Sequence, residues 1–188
     1  MRWIPFIVLI YLVVIVQTTV GGILTFAGGG IGTIGPDLMA IVAVFVAMHV
    51  RSGSDAALAA WAAGLALDLT TAGGPGAATV VGPMPIAYAL AAAAVFKIRE
   101  AFFRERAVPQ ALLALIFCLL AHGLWLTLQS LLARGEAITW STYGRRLLQA
   151  AMLAAYTAVL MPIAHRGLFR IRGWLIVAPA GRSRRARR

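Results

Sequence analysis

Long uninterrupted apolar runs organise this chain. No charged residue lies between Arg2 and Asp37, and Asp68 stands alone between Asp55 and Lys97. Between Arg106 and Arg134 the only titratable groups are Cys118 and His122. A bilayer core needs about 20 apolar residues per helix, and water-free hydrocarbon admits only helices or closed barrels. Barrel strands alternate apolar and polar positions, which these runs do not. The pattern predicts an all-α, polytopic membrane protein with about six transmembrane helices in one bundle.

The spans are expected at about Trp3–Phe26, Pro36–Val50, Asp55–Thr71, Gly76–Val95, Val108–Ala133 and Gly144–Ala164. The second is short, which implies shielding by neighbours or a thinned bilayer. Pro36 and Asp37 suit its start, a rigid first turn followed by a carboxylate at the positive end of the helix. Pro83 and Pro85 predict a kink or an irregular start in the fourth. Residues 1–165 then form a single bundle, and residues 166–188 a basic tail.

Composition agrees. Hydrophobic residues make up 61% of the chain and charged ones 12%, against about 25% charged in soluble domains. The net charge is +11, and its distribution gives topology. With six spans, one side holds Arg2, Arg51, Lys97, Arg99, Arg104, Arg106 and the tail arginines; the other holds only Arg134, Arg145 and Arg146. Basic residues favour the cytoplasm, so both termini are expected there. The first run could pass for a signal peptide behind "MRW", but no clean A-x-A cleavage site follows it, and retention as an anchor is expected. The charge is read as topology and as attraction of the arginine-rich tail to anionic lipid, not as nucleic-acid binding. The tail's apolar residues Leu168, Phe169, Ile171, Trp174 and Leu175 suit the interface.

Polar residues within the runs are the candidate sites. Asp68 sits near the end of the third span, where the helix dipole opposes a carboxylate. Backbone N–H groups around Gly73, Gly74 and Gly76, or the guanidinium of Arg145 or Arg146, are its expected partners. Ala56, Ala60, Gly64 and Asp68 recur every four residues, with Ala59 and Ala63 alongside. Such small-residue ridges let another helix approach closely. That helix belongs either to the bundle or to a partner protein. On the fifth span Cys118, His122, Trp125 and Gln129 share one face, a candidate polar face within the bundle. Gln149 and Tyr156 share one on the sixth.

Catalytic signatures are missing. The chain has no G-x-S-G with a partner histidine, no H-E-x-x-H, no Walker sequence and no paired carboxylates. Three scattered histidines and one cysteine make no metal-ligand cluster. An active site must assemble at least two chemical groups, so neither catalysis nor a cofactor is expected.

The segments "PDLMAIVAVFVAM" (from Pro36-Asp37-Leu38), "AAGLALDL" (with Gly64, Leu65, Asp68 and Leu69) and "GGPG", leading to a span with Tyr88, occur in an order that resembles the rod shape-determining MreD family. The resemblance covers mainly residues 36–100. Chain size and six spans with termini inside are also similar; the arginine-rich tail goes beyond the family pattern. The resemblance implies a noncatalytic inner-membrane protein that binds MreC, a single-span protein. It also implies an indirect link between MreB filaments and the RodA glycosyltransferase with its transpeptidase. The implied fold is that of the substrate-binding subunits of energy-coupling-factor transporters. Ala56, Ala60, Gly64 and Asp68 become candidate partner or packing residues; His122, Gln129, Arg145 and Arg146 remain a candidate polar face. Two alternatives stand beside this reading. One is a small-molecule-binding transporter subunit of the energy-coupling-factor type, although the first span lacks the A-x-x-x-A patch such subunits use. The other is a membrane enzyme, which would need His122, Asp68 and an arginine within hydrogen-bonding reach.

Overall fold

The computed structural model describes residues 1–27, 32–71, 81–99, 107–132 and 140–175. The described residues are all-α apart from one minimal hairpin. The helices are α1 (Trp3–Thr19), α2 (Gly21–Leu24), α3 (Leu38–His49), α4 (Gly53–Thr71), α5 (Pro83–Ile98), α6 (Ala107–Leu132) and α7 (Trp140–Leu175). Strands β1 (Phe26–Ala27) and β2 (Thr33–Ile34) pair antiparallel, Phe26 opposite Ile34.

The core forms around α3. Every residue from Met39 to Met48 is buried, and α1, α4, α5, α6 and α7 all pack against this helix. At 12 residues it is about 18 Å long, too short to cross a bilayer alone. It needs no longer span, because other helices surround it. Its C-terminal carbonyls are capped from another helix. The buried guanidinium of Arg99 donates to the carbonyl oxygens of Ala47 (2.8 Å), Met48 (3.2 Å) and Val50 (2.6 Å), a cation placed at the negative end of the helix dipole. The Phe96 ring lies 3.8 Å beneath that guanidinium.

These contacts fix helix direction. The Arg2 amide donates to the Leu175 carbonyl at 3.0 Å, and the Met1 amino group lies 3.5 Å from Asp55. Arg99 joins the end of α5 to the end of α3. One cavity brings His49, Ala107 and Arg166 together. The starts of α1, α4 and α6 and the ends of α3, α5 and α7 therefore share one end of the bundle, called the basic end below. The six longer helices alternate in direction. Asp37, Asp68 and Gly82 lie toward the opposite end.

Among the described residues, only α6 and α7 are both long and apolar enough to cross a membrane, at 26 and 36 residues; α1, α3 and α5 are apolar but shorter. Large apolar side chains face outward on both long helices, including Val108, Leu131, Val159 and Ile163. On α1, Ile4, Ile7, Val8, Tyr11 and Leu12 face outward, while Phe6 and Ile10 enter the core.

Three expected boundaries move. The first span, expected to reach Phe26, ends at Thr19. There the Thr18 and Thr19 hydroxyls turn back onto the Val14 and Ile15 carbonyls, and Gly21 and Gly22 follow. The fourth, expected from Gly76, has its helix from Pro83 to Ile98. Gly82 caps it with φ +124°, a backbone conformation that favours glycine. The sixth does not stop at Ala164. It runs through Pro162 to Leu175, so the expected boundary between bundle and tail at residue 165 falls inside a helix. Residues 176–188 lie outside the described residues.

Candidate functional site

A polar node occupies the apolar interior at the start of α3. Asp37 caps its own helix, accepting from the Ala40 amide at 2.9 Å, and is only 2% exposed. Its other oxygen, Oδ2, accepts the Tyr88 hydroxyl of α5 and lies 3.1 Å from Nε2 of His122 on α6. An ionised carboxylate can only accept, and against such a carboxylate Nε2 is the donor. The Asp37 amide donates to Thr157 Oγ1 of α7 at 2.9 Å. Four helices, α3, α5, α6 and α7, thus meet at one residue. The Tyr88 ring packs edge-on against Phe117 and His122.

Asp68 serves the neighbouring turn. It is 4% exposed and accepts from the Gly82 amide at 2.7 Å and the Met84 amide at 3.4 Å. It therefore caps α5 from α4, adding negative charge at the positive end of that helix. The glycines expected to cradle it, Gly73, Gly74 and Gly76, lie outside the described residues.

The small-residue ridge of α4 packs inside the chain. Ala56, Ala59, Ala60 and Ala63 are fully buried. A Cβ on Gly64 would lie 2.9 Å from the Met84 carbonyl oxygen, 2.9 Å from Pro85 Cα and 3.0 Å from Tyr88 Cβ. The helix received by Gly64 is α5.

The candidate polar face divides. His122 and Gln129 are buried, but His122 meets Asp37 rather than Asp68. Arg145 and Arg146 are exposed. Gln149 donates to the Thr33 carbonyl at 2.9 Å, and Tyr156 packs on Phe26, so these two side chains hold the hairpin to α7.

Beside the node lies a cavity of about 630 Å³, with Asp37, His122, Gln17, Trp125, Arg146 and Gln149 in its lining. Two buried polar atoms of that lining have no hydrogen-bond partner among the described residues: Gln17 Oε1 and Trp125 Nε1. Unpaired buried donors and acceptors are costly in an apolar interior, and these two supply one acceptor and one donor to the cavity. Among the described residues no cluster of three His, Cys, Asp or Glu side chains could hold a metal ion.

Sequence reasoning assigned Asp37 to a helix start and missed it as the centre of the node, along with Tyr88 and Thr157 as its partners. The available signal was an acid in an aspartate cap position before a helix apolar on every face. Such a cap is buried with its helix and must find donors elsewhere.

The class defined by these features is an all-α bundle with membrane-length apolar helices and a buried polar node. Comparisons with protein-family models, curated proteins and solved structures return no match to this chain.

Proposed function

We propose that this chain is a noncatalytic, multi-pass component of the bacterial inner membrane, of the MreD type. In that role it binds an MreC-like single-span partner and helps couple MreB filaments to peptidoglycan synthesis by RodA and its transpeptidase. One observation carries the reading. The described parts of the resemblance form one packing unit: Tyr88 bonds to Asp37, packs over Gly64, and lies one turn beyond the Met84 amide bonded to Asp68, while GGPG lies outside the described residues. Those residues act on one another, as befits a scaffold. All six longer helices cross the membrane on this reading, with the basic end in the cytoplasm. The partner helix then packs on an outer apolar face, because the Gly64 ridge is occupied by α5.

Pull-down in mild detergent with mass spectrometry tests the proposal. Recovery of an MreC-like partner is expected. Recovery of transporter ATPase subunits without MreC would refute it. That outcome belongs to the second reading, a small-molecule-binding subunit of the energy-coupling-factor type, which is favoured by the cavity and its unpaired Gln17 and Trp125 atoms.

A further inference from the structure

A second cavity, of about 620 Å³, lies at the basic end between the close of α3, the start of α6 and the last turns of α7. Arg166, Arg170 and Arg172 line it with His49, His165 and Gln110, and no carboxylate is among its described lining residues. His165 is 8% exposed. Its ring faces are occupied by aromatic neighbours: His49 at 5.2 Å and Phe169 at 5.8 Å between centroids. The ring edge is what these neighbours leave to the cavity, and Nε2 is buried without a hydrogen-bond partner among the described residues. Phe169 also supports the Arg172 guanidinium, 3.9 Å over its ring, which limits the freedom of that side chain.

The geometry points to a binding site for a phosphate group in this cavity. Guanidinium groups match phosphate oxygens in pairs, and an imidazole nitrogen supplies a further polar contact at the buried wall. Three exposed arginines line this one concavity, and a dianion or a phosphodiester seated there gains more from them than scattered counterions do. The phosphate belongs either to an anionic phospholipid of the adjacent leaflet or to a soluble phosphate compound. The site lies within α7 and is distinct from the arginines of residues 182–188. It does not depend on the cell-elongation reading, since no partner protein enters its test.

The full-length protein, purified from mixed micelles of phosphatidylglycerol and phosphatidylcholine, is analysed by native mass spectrometry. A parallel arm measures thermal stability with inorganic phosphate. Two triple variants remove equal charge: Arg166→Gln/Arg170→Gln/Arg172→Gln at the cavity, and Arg184→Gln/Arg185→Gln/Arg187→Gln near the C-terminus. Preferential retention of phosphatidylglycerol, reduced about ten- to a hundredfold by the cavity variant and not by the other, supports the site with a lipid source. Stabilisation by inorganic phosphate without lipid preference, lost in the cavity variant alone, supports it with a soluble source. His165→Phe keeps the ring packing and removes both nitrogens; it should weaken retention several-fold, and it decides the matter if the cavity variant fails to fold. Equal retention of both lipids with no phosphate effect, or equal loss in both triple variants, overturns the inference.

Discussion

Gly64→Ala should destabilise the bundle, although alanine is the better helix former. The added Cβ would sit 2.9 Å from the Met84 carbonyl oxygen and from Pro85 Cα. Ordinary carbon contacts fall at about 3.5–4.0 Å, so α4 and α5 must separate locally by roughly half an ångström to an ångström. The obstacles are backbone atoms, and no rotamer change relieves them. Overpacking of this kind costs about 1–3 kcal/mol. Against it stands the helix-propensity gain of Gly to Ala, up to about 1 kcal/mol. The net expectation is a loss between about zero and 3 kcal/mol. Gly123, inside α6, supplies the control, since a Cβ there meets nothing within 4 Å. Gly123→Ala keeps the propensity gain without the steric cost and should be neutral or stabilising. Both variants are compared with wild type by equilibrium unfolding in the same detergent. The third contact is Tyr88 Cβ at 3.0 Å, so Gly64→Ala should also disturb the Asp37–Tyr88 bond, seen as a changed Tyr88 environment in NMR or ultraviolet spectra. If Gly64→Ala stabilises as much as Gly123→Ala, the close crossing of α4 and α5 is wrong.

Two further perturbations probe the polar framework. Asp37→Ala leaves the Tyr88 hydroxyl and His122 Nε2 without their acceptor and should cost about 3 kcal/mol; Tyr88→Phe should cost about 0.5–1.7 kcal/mol. In a double-mutant cycle the two should couple by at least about 0.5 kcal/mol, and simple additivity would rule out a shared bond. Arg99→Met removes the donor to three carbonyls at the end of α3 and should cost about 1–3 kcal/mol, with faster amide exchange in the last turn of that helix. Unchanged stability and exchange would show that solvent or another group caps α3.

Much of the helical layout was legible because apolar runs and turn chemistry are local. Asp37 and Pro36 marked the start of α3, and the fifth expected span differs from α6 by a residue at each end. The displaced boundaries have local and non-local causes. Pro162 lies within α7 without ending it, and the Arg2–Leu175 bond holds the last turn of α7 against the start of α1. That contact joins opposite ends of the sequence and leaves no periodic trace. The node was invisible for the same reason. Its bonds connect Asp37 to residues 51, 85 and 120 positions away, and each partner looked ordinary in its own run. Asp68 drew attention because it was isolated in an apolar run, whereas Asp37 was accounted for locally as a cap.

The two acids therefore exchange the roles their surroundings suggested. Asp68 performs a local task, closing the start of the next helix. Asp37 performs a long-range one, bonding to α5, α6 and α7 from the start of α3. On the proposed reading, in which the bundle lies in lipid, apolar helices gain little from hydrophobic burial against one another, and such helices can slide with small loss of contact. A carboxylate with donors on two helices and an amide bonded to a third does not permit that sliding, because a shift by one residue breaks several bonds at once. Buried polar groups are best attested in this capacity, fixing register at some cost in stability. The node is thus a specificity device for packing. Replacing Asp37 and its partners together by apolar groups of matching shape should cost less stability than Asp37→Ala alone, while cysteine crosslinks placed across α3 and α6 should form in more than one register. A single crosslinking register in that variant would show that shape alone aligns these helices.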